Sequence, residues 1–137
     1  MNDRRDAAAA AAAESGSASL EAVLLLPVLV VSLLAIIQTA LFAHASGVAD
    51  AAAREGTRTA RLTGDAAAGR QRASEFLATH GAQLVLDPVV DAAAGGGVAS
   101  VRISGHAVTL LPLFVLPITA RSSGPVEAFT PIVGAAR

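Results

Sequence analysis

The residues of this chain best placed to do chemistry stand in Gly16-Ser17-Ala18-Ser19-Leu20-Glu21. Breaking the bond after Gly16 would expose a new amino group on Ser17. Glu21 would then be the fifth residue of the shortened chain, and its carboxylate could compensate an amine on a neighbouring subunit during assembly. An ion pair in low dielectric is costly unless well made, so it would check register more than supply adhesion. The same carboxylate has a plainer use. In the first turn of a membrane helix it stays in the interface and meets the positive end of the helix dipole.

Either use depends on the segment that follows. From Leu20 to Ala43 the only charge is Glu21, and the polar side chains are Ser32, Gln38 and Thr39. A bilayer-crossing helix needs about 20 mostly apolar residues, and Ala22–Ala43 satisfies that. Secretory signal peptides usually carry a shorter apolar region, of about 7–15 residues. Ala43-His44-Ala45 nevertheless has the small-x-small form of a signal-peptidase site, so release of a soluble domain after Ala45 is the first alternative. An uncleaved single-pass subunit of another envelope complex is the second. Pro27 lacks a backbone donor and obstructs the turn at Val23, which predicts a kink. Ala35, Thr39, Ala43, Gly47 and Ala51 recur every four residues, a spacing that lets another helix approach closely; in so alanine-rich a chain, composition alone also produces it.

Helical character continues past the apolar run. Gly47–Leu62 is Ala-rich, with Asp50 and Arg54, then Glu55 and Arg58, spaced to pair across a turn. The two segments together predict a spine of roughly 40 residues, on the order of 60 Å long, weakened toward its end by Gly56 and Gly64. Asp65–His80 reads as a second helix stopped by Gly81. Gln83–Leu86 is a short strand candidate limited by Asp87-Pro88, and Gly95-Gly96-Gly97 a turn or flexible loop. In Val98–Val108, Ala99, Val101 and Ile103 alternate with Ser100, Arg102 and Ser104, the period of a half-buried strand. A third strand is predicted from Ile118 through Arg121, with a return through Val126–Phe129 after Gly124-Pro125. Leu110–Ile118, interrupted by Pro112 and Pro117, is too short to span a bilayer; it reads as a loop covering the sheet or as a contact with a partner or the membrane surface. The fold class is therefore α+β: a long N-terminal transmembrane helix spine, a short helix and a small antiparallel sheet of three or four strands. Residues 1–16 read as a leader rather than a folded element, 17–62 as the transmembrane and extended helix, and 63–137 as a small extracytoplasmic α+β domain.

Composition narrows the function classes. The chain has 137 residues, four Phe, no Trp or Tyr, and no cysteine, which excludes disulfides and cysteine-ligated metals. So few aromatics predict a weakly stable domain. A net charge of -1 gives no electrostatic case for nucleic acid. His44, His80 and His106 lack the spacing of a metal site. Ser104-Gly105-His106 lacks the context of a nucleophile elbow, and Gly95–Gly97 lacks the residues of a phosphate loop. Arg102 and Arg121 read as solvated strand-face residues. The sequence thus predicts no enzyme, no cofactor and no metal.

Gly16-Ser17-Ala18-Ser19-Leu20-Glu21-Ala22-Val23-Leu24-Leu25-Leu26-Pro27 resembles the amino terminus of TadE-like proteins, the pseudopilins of tight-adherence (Flp-type) pili within the type IV pilin-like group. The glycine ending the leader, the glutamate at the fifth mature position and the proline six residues later all fit. Ala52-Ala53-Arg54-Glu55-Gly56-Thr57-Arg58-Thr59-Ala60 is similar to a stretch following the membrane segment in that family. Leu116-Pro117-Ile118-Thr119-Ala120 and Ser123-Gly124-Pro125-Val126-Glu127 also look like its actinobacterial-type members. The resemblance implies cleavage between Gly16 and Ser17 by a prepilin peptidase, a membrane-held minor pilin, and a supporting role in pilus assembly. Implied partners are that peptidase, the major Flp-type pilin, sibling minor pilins, the Tad membrane platform proteins and membrane lipid. The leader departs from a clearly basic one: Asp3, Asp6 and Glu14 accompany Arg4 and Arg5. Arg54, Arg58 and Arg61 beyond the apolar run would by charge alone favour a cytoplasmic C-terminal domain, whereas the resemblance implies the opposite orientation.

Overall fold

A computed structural model describes residues 3–110 and 114–127, with side chains from Glu21 onward. Five elements follow in order: α1 (Asp3–Thr63), α2 (Ala66–His80), β1 (Val85–Gly95), β2 (Val98–Ala107) and β3 (Leu116–Pro125). The fold is α+β, with a long apolar N-terminal helix, a short second helix and an antiparallel three-stranded sheet. The chain forms two compact units, Met1–Gln38 and Thr39–Arg137.

In the first unit the backbone is helical from Asp3 through the stretch read as a leader. Alanine is the best helix former, and Ala7–Ala13 supplies a run of it. Pro27 lies inside α1, where its missing N–H leaves the carbonyl of Val23 without the usual donor. One turn later the Ser32 hydroxyl donates to the carbonyl of Val28 at 2.8 Å.

In the second unit Gly64 (φ 68°) ends α1 in a left-handed conformation that suits glycine. Asp65 caps α2, its side chain accepting from the Ala67 N–H at 2.8 Å. Gly81 closes α2 by donating to Leu77 at 2.7 Å. The sheet order is β1-β2-β3. Gly96 and Gly97 turn β1 into β2 with φ of 57° and 78°, the positive angles of a tight hairpin turn.

Two strand expectations require correction. Asp87-Pro88 does not limit β1, which runs on to Gly95 with an irregularity in pairing between Leu86 and Val89. Proline is tolerated because β1 is an edge strand, and the bulge absorbs the one extra residue, Asp87 and Pro88 standing against Gly105 alone. Likewise Gly124-Pro125 does not make a turn into a return strand; both pair with β2, opposite Ala99 and Val98. Val126 and Glu127 lie beyond β3 and donate instead to Gly97 at 2.8 Å and Arg61 at 3.3 Å. Residues 128–129 of the expected return, and 111–113 of the Leu110–Ile118 loop, lie outside the described residues; Leu116–Ile118 opens β3.

The core sits between the sheet and the two helices. Ala99, Val101 and Ile103 are fully buried, as the alternation predicts, and Val101 and Ile103 are the largest fully buried side chains. Most of what surrounds them is alanine. The rows of the sheet are indexed to α1. At one end Val85, Ala107 and Leu116 pair in register, next to the Gly81 turn that lies against Val48. At the other end Val98 pairs with Pro125, whose carbonyl accepts from Nε of Arg61 at 2.7 Å.

Candidate functional site

Gly16 and Ser17 lie within the helical backbone of α1. A protease acting there must first unwind the local helix. Glycine lowers that cost by about 1 kcal/mol relative to alanine, and serine is a middling helix former, so Gly16, Ser17 and Ser19 mark a weak point in an otherwise Ala-rich stretch. Five residues on, Glu21 is exposed. Its carboxylate is followed by large apolar side chains in contact with solvent: Val23, Leu24, Leu26, Leu29 and Ile36 are each more than 60% exposed. The helix from Glu21 onward is long and apolar enough to cross a membrane. Pro27 is exposed in the same stretch.

The small-residue row read from the sequence is not the one that packs the domain. Ala35, Thr39, Ala43 and Gly47 are exposed, and Ala51 is half-buried. Ala45, Ala49, Ala52, Ala53, Gly56, Thr57 and Ala60 are buried instead. Their spacing of three and four residues makes one helical stripe. Its centre is a crossing of two glycines. A Cβ on Gly56 would sit 2.7 Å from the Gly69 carbonyl oxygen and 2.8 Å from Cβ of Ala73; a Cβ on Gly69 would sit 2.7 Å from Cβ of Ala60. Only glycines permit α1 and α2 to approach this closely.

The Ala52–Ala60 stretch therefore has an architectural reading, residue by residue. The alanines and Gly56 form the packing face. Thr57, the one buried polar residue among those described, donates its hydroxyl to the Ser122 carbonyl of β3 at 3.2 Å. Glu55 receives Nε and Nη2 of Arg72 on α2 at 3.1 and 3.0 Å, a partner across the crossing in place of Arg58 one turn along. Arg54 and Arg58 are exposed. Just beyond, Arg61 adds an ion pair to Glu127 at 3.5 Å to its bond with Pro125. Gly69 and Arg72 went unread in the sequence because their importance lies in what they meet, which no local spacing reports.

Among the histidines, His80 stacks on Phe76 with ring centroids 4.4 Å apart, while His44 and His106 are exposed. Among the described residues no three His, Asp or Glu side chains converge as metal ligands would. On the open face of the sheet, Asp91, Arg102 and Arg121 form one register row, all three exposed. Directly opposed like charges repel modestly, and Asp91 beside Arg102 offsets part of that.

The model of the TadE-like protein family matches residues 16–58. The match takes in Gly16–Pro27 and the Ala52–Arg58 part of the packing stripe; Leu116–Glu127 lies outside it. No curated protein and no solved structure matches this chain.

Proposed function

We propose that this TadE-like chain is a membrane-held minor pilin that supports assembly of a tight-adherence pilus. The observation that carries the reading is the extent of the family match. The matched residues, 16–58, include the Gly16–Glu21 segment, the exposed apolar helix and the Ala52–Arg58 part of the packing stripe. A prepilin peptidase cuts between Gly16 and Ser17. Residues 22–43 then hold the chain in the lipid, with the sheet domain outside the cytoplasm. Glu21 serves as the assembly carboxylate and Pro27 as a place where the helix bends. The major Flp-type pilin, sibling minor pilins and the Tad membrane platform are the partners, and no catalysis is required of the chain.

Release after Ala45 fits the fold poorly. Ala45 is fully buried, and Phe42 packs against the same core. Cleavage there would strip the core of two of its side chains, and the remaining domain is already built largely of alanine.

The test is the amino-terminal sequence and intact mass of the protein from its own host's membranes, with and without the peptidase, alongside Glu21→Ala. The expected chain begins at Ser17 and reverts to full length without the peptidase. Glu21→Ala is then processed and folded but fails to support piliation. A soluble chain beginning at Ser46, or an uncut chain where the peptidase is active, overturns the reading.

A further inference from the structure

The Val108–Ala120 stretch contains no charged residue. Its described part leaves Leu110, Phe114 and Val115 exposed, Val115 to 71%. Phe114 and Val115 line a shallow recess together with Leu86, His106 and Ala107, and with Asp87 at the rim. Leu86 is exposed as well. This is an apolar patch, and its place in the fold decides what covers it.

Strand β3 begins at Leu116, in the row that Ala107 and Val85 complete. That row adjoins the Gly81–Leu84 turn: Val85 and Leu84 both donate to the Gly81 carbonyl, and Val108 donates to Leu84 at 3.0 Å. Gly81 in turn lies against Val48 of α1. Phe42, Val48, Leu84 and Leu116 all pack on the same core. The patch thus sits at the end of the sheet that meets α1 where its apolar run finishes, around Phe42–Val48. The opposite end, at Pro125, meets Arg61, some 20 Å further along a helix rising about 1.5 Å per residue. Leu86, Phe114 and Val115 are exposed at this end, against Val98 and Leu62 at the other, and it is at this end that the apolar run of the sequence leads into the domain through Phe42.

We infer that Phe114, Val115 and Leu86 dock on the lipid surface, so that the sheet domain lies against the bilayer as a second, interfacial contact beside the helix that spans it. The inference rests on the reading of Ala22–Ala43 as a membrane span. Aromatic and aliphatic side chains of this kind settle at the headgroup boundary, and Asp87 and His106 at the rim remain in reach of water. Holding the domain down orients it against the membrane surface before assembly; entry into a filament then requires the patch to leave the lipid.

The chain has no cysteine, so single cysteines can be labelled without removing native ones. Full-length protein carrying Val31→Cys, Val115→Cys or Ser123→Cys is labelled with an environment-sensitive fluorophore in phosphatidylcholine nanodiscs containing nitroxide lipids. The expected result is a deep label at Val31, one about 5–10 Å into the headgroup boundary at Val115, and a water-exposed label at Ser123. Adding Phe114→Asp to the Val115→Cys chain should return its label to water while the unfolding transition is retained. A Val115 label as wet as that at Ser123, with Val31 deep, overturns the docking and leaves the span intact. A Val115 label shielded from water yet unquenched by lipid means that protein covers the patch, which also overturns it. A Val115 label that stays in lipid despite Phe114→Asp shows the dye, not the protein, seeking the bilayer, with the same consequence. A Val31 label outside the lipid removes the span and the docking together.

Discussion

Two stretches of one helix invert the usual relation between side-chain size and burial. Between Glu21 and Gln38, α1 carries leucine, valine and isoleucine, and nearly all of it is exposed. Between Ala45 and Ala60 it carries alanine, glycine and threonine, and one whole stripe is buried. Large exposed side chains suit a helix that is long and apolar enough to cross a membrane, where area offered to lipid would be what counts. Small ones serve a helix whose neighbours are backbones, where close approach and dispersion replace bulk. The first stretch could be exchanged for other apolar residues with little loss; the buried stripe of the second has no room for an added atom where Gly56 meets Gly69.

The largest expected effect attacks the first stretch. Leu33→Arg places a charge at the middle of the apolar run, at a cost of about 2.5–3.5 kcal/mol for insertion. The chain should become extractable from membranes by alkaline carbonate, while amide exchange in β2 shows the sheet still folded. Retention in the membrane would mean that this stretch is not in contact with lipid.

A smaller effect sharpens the contrast by making one substitution at two glycines of α1. A methyl group added at Gly47 would meet no atom within 4 Å, whereas one added at Gly56 would sit 2.7 Å from the Gly69 carbonyl oxygen. Gly47→Ala should stabilise the domain by up to about 1 kcal/mol through helix propensity. Gly56→Ala should destabilise it by about 1–2 kcal/mol, overpacking outweighing the same gain. Denaturant unfolding of the full chain in nanodiscs reads both, and equal signs would refute the glycine crossing.

The smallest effect concerns polar ties. Glu55→Gln breaks an ion pair whose side chains are both substantially exposed. The expected loss is about 0.2–1 kcal/mol, shrinking as salt is raised. A larger, salt-independent loss would mean that the pair is what holds the crossing, and the glycines only permit it.

Much of this was legible from local pattern. The extent of α2 follows from Asp65–His80 and its stop at Gly81, the β1–β2 turn from Gly95–Gly97, and the buried face of β2 from its alternation, because each rests on a few neighbouring residues. The extension of β1 through Pro88 was not legible, since proline forbids a central strand and permits an edge one, and only the assembled sheet says which. Gly56 reads locally as a weak point in a helix; against Gly69 it is a point of close backbone approach between α1 and α2.

The sequence by itself determined that the chain carries one apolar helix of membrane length, a processing-like Gly–Ser–Glu segment ahead of it and an α+β remainder, because hydrophobic length and period are properties of consecutive residues. Tertiary structure alone decided which of several equivalent small-residue rows is buried, which partner Glu55 takes, and which end of the sheet carries the Phe114–Val115 patch. In an alanine-rich helix every face looks alike to a neighbouring residue, and only a crossing helix or a docked strand distinguishes them.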